Sequence, residues 1–375
     1  MVPRGKLDIS FAALFKGIVY CGAELLGATH SKEIKTVPNT LYCLSVRTGL
    51  DLTLQALNFE PGSEVLVTNI NIPDMFSILS AHRLVCVPLS VNKHTLEISA
   101  QQIKKLINPS TKAILITHLF GAVINIQDII NLAKEHHLMV LEDCAQAFNG
   151  VYKGNPGTDV VMYSFGLIKT NTSLTGAMLR FNNPELQHKV TLLQNQLPIQ
   201  YTGQYLKKLF KALIIKMITQ KWSFTLLYWL SQKAGKNFDD VLAGFTKGFP
   251  GADVMAKIRY RPCQANLRLM GQRIAAFPLT RISKRQELAL STLRHLPEAM
   301  KIGQLNDQHT YWVLAIESTD PGQLIKALRA RGYDATQKAS SLVKIKGTKE
   351  VSQPDELDLD KLVYLPAGSG ILQIL

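Results

Sequence analysis

Short apolar runs and segments with helical spacing alternate along the chain as far as Lys169. The apolar runs are continuous rather than alternating, which is typical of strands buried on both faces of a sheet. Polar segments between them place apolar residues every three or four positions, which predicts helices. The predicted strands are 65–67, 85–89, 113–117, 139–141 and 160–165, and the predicted helices include 99–107 and 126–137. Alternation of this kind predicts an α/β fold with a mostly parallel sheet flanked by helices.

Charged side chains follow two of these predicted strands. Glu142 and Asp143 come directly after the run at 139–141, and Lys169 lies four residues beyond the run at 160–165. Ligands of open α/β sheets bind outside the carboxyl ends of the strands, so an acid and a lysine there can face one ligand. Pyridoxal phosphate needs such a pair, a Schiff-base lysine and a carboxylate that keeps the ring nitrogen protonated. An ordinary surface ion pair is the alternative explanation.

Two motifs add a resemblance to a known family. EDCAQAF at 142–148, followed about 20 residues later by SFGLIKT, resembles the DegT-like (DegT/StrS) sugar aminotransferases, which are fold-type I pyridoxal phosphate enzymes. The likeness covers about 38–180 and resumes, more weakly, from about 257. It implies that Lys169 forms the Schiff base and Asp143 pairs with the ring nitrogen. It also implies that Gln146 lies near the phenolic oxygen and that Ser164 contacts the phosphate.

The segment 41–57 predicts a short strand, a turn at 47–49 and an amphipathic helix. A helix N-terminus can hold a phosphate, so Arg47 and Thr48 are candidate cofactor-binding residues. The family usually reads S-G-T-x-A-L here, whereas this chain has Val46 and Arg47 in the glycine and threonine places. A guanidinium suits a phosphate dianion. The alternative is that Arg47 is a solvated residue at a helix start.

Two further positions depart from the family pattern. Residues 259–261 read Arg-Tyr-Arg and are predicted to begin a helix, where the family has N-Y-R reaching across the dimer toward the partner's cofactor phosphate. The change to Arg259 suggests that arginines have replaced polar phosphate ligands. At the position of the aromatic residue that stacks on the ring, this chain has Asn71 and Ile72, so the stacking residue is aliphatic or comes from elsewhere. His118 resembles a family histidine, and we assign it no catalytic role.

Length and patterning predict two domains. A large cofactor-binding domain spans 1–255, with a basic and apolar helical insertion at about 195–255, and a small α+β domain spans 256–375. The large domain opens with a predicted helix at 7–35. The small domain contains a predicted strand at 310–316 and a predicted helix at 321–331.

The insertion carries most of the positive charge. The 53 residues between Glu185 and Asp239 contain eight lysines and no acid, within a chain of net charge +14. Apolar residues recur at helical spacing in 206–217, and 222–230 is nearly apolar all round. Such a segment can contact an anionic membrane through residues 206–236. The alternative is a helical pair that packs on a dimer partner and keeps a solvated lysine rim.

Composition excludes several classes of protein. Five cysteines are spread singly, which argues against a disulfide framework or a metal site and fits a reducing cytoplasm. No signal peptide is evident, and no apolar run is long enough to span a bilayer. The lysine-rich segment has no arginine and no nucleic-acid-binding motif, so no nucleic-acid partner is expected.

The resemblance therefore predicts a homodimeric, cytoplasmic aminotransferase that uses pyridoxal 5'-phosphate. It implies transfer of an amino group, from glutamate, to a keto group of a nucleotide-linked sugar in polysaccharide or glycoconjugate biosynthesis. The basic insertion leaves open a lipid-linked or non-sugar substrate and association with a membrane. A non-catalytic relative acting as a binding protein is the remaining alternative, because several positions around the predicted centre are altered.

Overall fold

The computed structural model describes residues 1–28, 37–234, 239, 253–337, 341–347, 353 and 355–366. Parts of three predicted segments lie outside these residues, namely 29–35 of the N-terminal helix, 235–236 of the basic segment and 240–252 of the insertion. Within the described part of the chain, no helix is both long and apolar enough to cross a membrane.

A seven-stranded sheet forms the centre of the fold. Its strands are β1 (Thr40–Cys43), β2 (Glu64–Thr68), β4 (Val85–Leu89), β5 (Thr111–Thr117), β6 (Met139–Asp143), β7 (Val160–Ser164) and β8 (Ala177–Phe181). The spatial order is β1-β8-β7-β6-β5-β2-β4. The pairings from β7 to β4 are parallel, and β8 runs antiparallel to both of its neighbours. The predicted α/β fold with a mostly parallel sheet is confirmed.

Helices and two small sheets surround this sheet. The helices are α1 (Phe11–Leu25), α2 (Val46–Leu57), α3 (Pro73–Ala81), α4 (Ala100–Leu106), α5 (Gln127–Glu135), α6 (Pro184–Gln196), α7 (Thr202–Ile218), α8 (Lys221–Lys233), α9 (Val254–Ile258), α10 (Gln264–Ala275), α11 (Thr280–Leu293) and α12 (Pro321–Ala330). The small antiparallel sheets pair β3 (Ile70–Asn71) with β10 (Val343–Lys344), and β9 (Leu314–Glu317) with β11 (Leu362–Leu365).

Apolar clusters form on both faces of the large sheet and under the β9–β11 sheet. One cluster joins the sheet to α4 and α5, and a second joins it to α2, α3 and α6. A third packs α1 against α7 and α10. The β9–β11 sheet has its own cluster with α11 and α12, which begins at Ala289. The predicted domain boundary at 255 stays a prediction. Helix α10 lies after that boundary in the sequence but packs against α1 and α7, which lie before it.

Three predicted local structures were wrong. Residues 47–49 lie inside the first turn of α2, because Ser45 caps the helix by accepting a hydrogen bond from the Thr48 amide at 3.1 Å. Residues 259–261 lie between α9 and α10 instead of opening a helix. The predicted strand at 310–316 begins only at Leu314, since the Thr310 amide donates to the Gly121 carbonyl at 2.7 Å and fixes a loop there.

Glu142 anchors the end of β6 from inside the protein. Its carboxylate is fully buried and accepts hydrogen bonds from His118 Nε2 at 3.0 Å, Tyr152 Oη at 2.7 Å and the Asn155 amide at 2.8 Å, as well as from the Thr158 hydroxyl. His118 Nδ1 accepts from a backbone amide, so Nε2 carries the hydrogen. His118 is fully buried and packs at the end of β6.

Several buried donor groups therefore have the Glu142 carboxylate as their hydrogen-bond acceptor. Burial acts to raise the pKa of Glu142, but hydrogen bonds from His118, Thr158 and Tyr152 hold it below its usual value. Because the pKa of Glu142 is lower in the folded protein than in the unfolded chain, the ionised carboxylate stabilises the fold at pH values above its unfolded pKa. That contribution is lost as the pH falls through the folded pKa.

We predict that Glu142→Ala lowers the free energy of unfolding by about 3 to 5 kcal/mol, because it leaves buried donors without an acceptor. Urea denaturation at neutral pH measures the change. Glu135→Ala, at the exposed end of α5, is the matched control and should change stability by about 0.5 kcal/mol or less. Equal stabilities of the two variants would contradict the role given to Glu142.

Candidate active site

The carboxyl ends of neighbouring strands bring the predicted site residues to one edge of the sheet. Asp143 ends β6 and is paired in register with Thr117 on β5 and Met162 on β7. Ser164 ends β7 and lies opposite Ala177, which lies opposite Cys43 at the end of β1. Parallel strands end together, so Asp143, Ser164 and the start of α2 share one edge.

Asp143 is a buried carboxylate that is bonded to neutral groups. Its side chain is 3% exposed and accepts hydrogen bonds from Asn71 Nδ2 at 3.2 Å and from the Ala145 amide at 3.0 Å. Asn71 also donates to the Thr117 hydroxyl at 2.8 Å, which fixes its orientation. Among the residues that the structure describes, no Lys, Arg or His nitrogen lies within ion-pair distance of Asp143. A buried charge of this kind is costly unless a cation joins it.

Lys169 approaches the same edge from the loop after β7. Its Nζ lies 4.0 Å from the centre of the Trp312 ring, and its backbone amide donates to the Gly166 carbonyl at 3.0 Å. Burial lowers the pKa of Lys169 to about 8, while the negative charge of Asp143 acts to raise it and the positive charge of Arg47 acts to lower it. A lysine with a pKa near neutrality can act as a nucleophile or as a base.

Trp312 is a site residue that sequence analysis missed. Its ring faces Lys169, and its Nε1 donates to the Ile168 carbonyl at 3.1 Å. The prediction placed Trp312 within a strand, so its side chain had no assigned role. The Gln-His-Thr-Tyr-Trp sequence before β9 is rich in aromatic and polar residues, and this composition was the available signal of a site loop.

Two residues fix the loop that carries Trp312. Gly121 has a φ of +103°, and a Cβ there would lie 2.5 Å from both Thr310 Oγ1 and the Trp312 amide nitrogen, so only glycine fits. Arg285 donates from Nε to the Thr310 carbonyl at 2.6 Å and from Nη1 to Thr170 Oγ1 at 3.0 Å. Arg285 thus joins the Trp312 loop to the residue after Lys169.

The N-terminus of α2 lies beside Ser164. The first amide groups of a helix have no partner within the helix and can bind an anion. Thr48 is fully buried, and its hydroxyl lies 2.9 Å from Ser45 Oγ and donates to the Ile258 carbonyl at 2.8 Å. The hydroxyl hydrogen of Thr48 is therefore used within the protein. The predicted contact of Thr48 with a cofactor stays a prediction.

One of the two predicted phosphate arginines lies on α2, and the other is bound to α2 through an ion pair. Arg47, in the first turn, forms an ion pair with Asp74 of α3. Arg259 is paired through Nε at 3.0 Å and Nη2 at 3.1 Å with the buried Asp51, which also bonds His82 Nε2 at 2.8 Å. Residues 47 and 51 lie four positions apart, so Arg47 and the residue that binds Arg259 are on the same face of α2. Their contact with a phosphate stays a prediction.

The remaining predicted residues flank Asp143. Gln146 is 6% exposed, and its Oε1 accepts a hydrogen bond from the Phe120 backbone amide at 2.9 Å. This bond directs the side-chain nitrogen of Gln146 away from Phe120. Ile72, in the place of the family aromatic residue, is partly buried next to Asn71 and packs in the cluster beneath α2 and α3. The family position of the stacking aromatic residue is therefore aliphatic here, and the ring of Trp312 lies against Lys169 from a different part of the chain.

A mostly parallel sheet with a lysine and a carboxylate at its carboxyl edge defines the fold and site class of the aminotransferases. Residues 32–217 match the sequence profile of the DegT/DnrJ/EryC1/StrS aminotransferase family. Residues 32–217, just under half of the chain, therefore form a domain of this family.

The chain is also similar in sequence to named proteins. GDP-perosamine synthase of Caulobacter vibrioides is 32% identical over 200 residues, which are 51% of this chain and 48% of the relative. GDP-perosamine synthase of Vibrio cholerae is 34% identical over 155 residues, which are 39% of this chain and 41% of the relative. The chain thus spans about half the length, or less, of the curated relatives it matches.

Solved structures extend the likeness of fold to the whole chain. Sugar aminotransferase CalS13 from Micromonospora echinospora has a TM-score of 0.64 at 17% identity, covering 98% of this chain and 95% of the other. The protein ntda from Bacillus subtilis, solved with bound cofactor PMP, has a TM-score of 0.66 at 16% identity, covering 96% and 79%.

Aminotransferases of this family depend on pyridoxal phosphate, and the residues at this edge fit that group. Among the described residues, no Lys, Arg or His nitrogen lies within ion-pair distance of the buried Asp143 carboxylate, and a protonated ring nitrogen would supply a cation there. Lys169 provides the amine for covalent attachment. Ser164 and the first amides of α2 suit a phosphate, with Arg47 nearby as a positive charge.

We predict that the charges around Lys169 tune its pKa in opposite directions. In the cofactor-free protein, Asp143→Asn should lower the pKa of Lys169 further, because it removes the negative charge that raises it. Arg47→Gln should raise the pKa, because it removes a positive charge. The pH dependence of acetic anhydride labelling at Lys169, followed by peptide mass spectrometry, measures both changes.

Exposed Lys104 in the same digests is the control for reagent chemistry. An identical labelling profile for Lys169 in the wild type and both variants would contradict the charge coupling.

Proposed function

We propose that the chain is a pyridoxal phosphate-dependent aminotransferase that moves an amino group to a keto carbon of a nucleotide-linked sugar. The observation that carries the proposal is the buried Asp143 carboxylate, which has no cation partner in the described structure and lies at the same sheet edge as Lys169. Family membership supports the reaction class.

Each residue of the site would have a defined task in this reaction. Bound pyridoxal phosphate supplies an electron-withdrawing ring that stabilises negative charge at a carbon of the substrate. Asp143 would hold the proton on the ring nitrogen, since a neighbouring carboxylate favours the charged ring. Asn71 would keep the Asp143 carboxylate in position through its hydrogen bond. Gln146 would donate from its amide nitrogen to the phenolic oxygen.

Lys169 would have two tasks. Its amine would first hold the cofactor covalently, and after displacement by the amino donor it would carry a proton between a carbon of the substrate and a carbon of the cofactor. A pKa of about 8 leaves a useful fraction of the amine neutral at physiological pH, so Lys169 can accept that proton. Trp312, against Nζ, would shield the amine from water.

The substrate class follows from the relatives. The curated proteins named above are GDP-perosamine synthases, whose name denotes formation of an amino sugar linked to a nucleotide. We propose a keto sugar nucleotide as acceptor and glutamate as donor, in polysaccharide or glycoconjugate biosynthesis. Ile72 in place of the family aromatic residue favours a substrate pocket that differs in detail from those of the relatives.

A non-catalytic binding protein is the second candidate. The altered positions Val46, Arg47 and Arg259 favour it, because they change the phosphate side of the site. Lys169 with its lowered pKa favours an enzyme, since strongly shifted pKa values are typical of catalytic sites. We propose further that the enzyme is a cytoplasmic homodimer and that residues 206–236 make peripheral contact with an anionic membrane.

We predict that borohydride treatment of the protein loaded with pyridoxal phosphate attaches the cofactor to Lys169. Peptide mass spectrometry should find the adduct on Lys169 in the wild type and no adduct in Lys169→Ala. Asp143→Asn should still form the adduct, yet lower kcat with a GDP-linked keto sugar and glutamate by about a hundredfold or more. Failure of the wild type to bind pyridoxal phosphate would support the non-catalytic candidate.

We predict that Arg47→Gln and Arg259→Gln each weaken retention of pyridoxal phosphate by roughly tenfold, because each removes a positive charge from the α2 face. Equilibrium dialysis measures the dissociation constants. Arg294→Gln, at an exposed helix end, is the matched control and should leave retention unchanged. Unchanged retention in the double variant would show that these arginines are structural.

A further inference from the structure

Helix α7 exposes a stripe of large apolar side chains on its outer side. Its inner side packs into the cluster with α1 and α10. The exposed stripe recurs at helical spacing, and each of its side chains is about half accessible to solvent. It consists of Phe210 at 50%, Ile214 at 49% and Met217 at 53%. An amphipathic helix normally places polar residues there.

Helix α8 continues this pattern with tryptophans. Phe224 is 2% exposed and marks the inner side of the helix. Trp222 is 76% exposed and Trp229 is 50% exposed, and their positions two residues before and five after Phe224 place both on the opposite side. Leu226 and Leu230 are also about half exposed. We call the exposed residues of both helices the α7–α8 apolar surface.

Lysines border the α7–α8 apolar surface, and acids are absent from this stretch of the sequence. Between Glu185 and Asp239 there is no Asp or Glu. Lys207, Lys221 and Lys233 are exposed, and Lys233 Nζ lies 3.9 Å from the centre of the Trp229 ring. The aliphatic stems of lysines can lie along apolar surface while their charged ends reach outward.

This distribution of charge distinguishes between two partners that could cover the α7–α8 apolar surface, a second copy of this chain and a lipid membrane. In a two-fold dimer whose axis passes through the α7–α8 apolar surface, lysines would face lysines, with no acid from this segment to offset them. Anionic lipid headgroups instead complement the lysines, and tryptophan side chains favour the boundary between headgroups and acyl chains. The charge therefore favours a lipid surface over a second copy of this chain.

We propose that the α7–α8 apolar surface docks on the surface of a membrane that contains anionic phospholipids. Phe210, Trp222 and Trp229 would enter the headgroup boundary, and the bordering lysines would bind the phosphate groups. The enzyme would then work beside the membrane with α7 and α8 lying on it. This proposal names the residues of the predicted contact and does not depend on the reaction at Lys169.

Vesicle sedimentation tests the proposal with the full chain. The protein should sediment with vesicles of equal parts phosphatidylcholine and phosphatidylglycerol, less so at high salt, and not with pure phosphatidylcholine vesicles. Trp222→Ser/Trp229→Ser should abolish sedimentation. Lys207→Gln/Lys221→Gln/Lys233→Gln should weaken it about tenfold or more, since each lysine near an anionic surface strengthens binding roughly fivefold.

Matched variants keep the test specific. Val151→Ser/Leu305→Ser removes two exposed apolar side chains elsewhere, and Lys104→Gln/Lys105→Gln/Lys134→Gln removes three exposed lysines from α4 and α5. Both should sediment like the wild type, and circular dichroism checks that all variants fold.

Tryptophan fluorescence provides a second readout, because the chain has 3 tryptophans. A blue shift on adding anionic vesicles should persist in Trp312→Phe and vanish in Trp222→Phe/Trp229→Phe. Absence of sedimentation with anionic vesicles would overturn the proposal. So would vesicle binding that is unchanged in the tryptophan variant, or a loss of dimer mass caused by that variant in the absence of lipid.

Discussion

The structure of the site depends on one arrangement, a buried carboxylate that has no Lys, Arg or His nitrogen within ion-pair distance among the described residues. Asp143 is held by an amide side chain and a backbone amide, both neutral. Charges in a protein interior are usually paired, because removal from water is costly. The free-energy cost of burying Asp143 falls at the edge of the sheet where β6 ends. A ligand that carries a positive charge at that point would lower this cost.

The surrounding structure serves to keep Asp143 and Lys169 in place. Glu142, the neighbouring acid, points into the protein and binds His118, Tyr152 and a loop amide, so it anchors the end of β6 while Asp143 faces the site. Adjacent residues of a strand point to opposite faces, which divides the two acids between structure and chemistry. On the other side, Arg285 ties the Trp312 loop to the residue after Lys169.

Sequence alone predicted the parallel strands β2, β4, β5, β6 and β7 but not β8, and it predicted that Asp143 and Lys169 form the centre of the site. The predicted strands are buried on both faces and therefore read as apolar runs. Asp143 ends one of them, and Lys169 lies in the loop after another. Trp312 could not be predicted, because its position depends on contacts of its loop with Gly121 and Arg285, which are distant in sequence. The pairing of Arg259 with Asp51 likewise joins residues more than 200 positions apart. Local patterning carries no information about such contacts.

The most direct test of this account compares pyridoxal phosphate with its 1-deaza analogue, whose ring has a carbon in place of the nitrogen. The measurement is the dissociation constant of each compound for the wild type and for Asp143→Asn. If Asp143 serves to pair with a protonated ring nitrogen, the wild type should prefer the natural cofactor by about tenfold or more, and the variant should lose that preference. The same preference in both proteins would contradict the account.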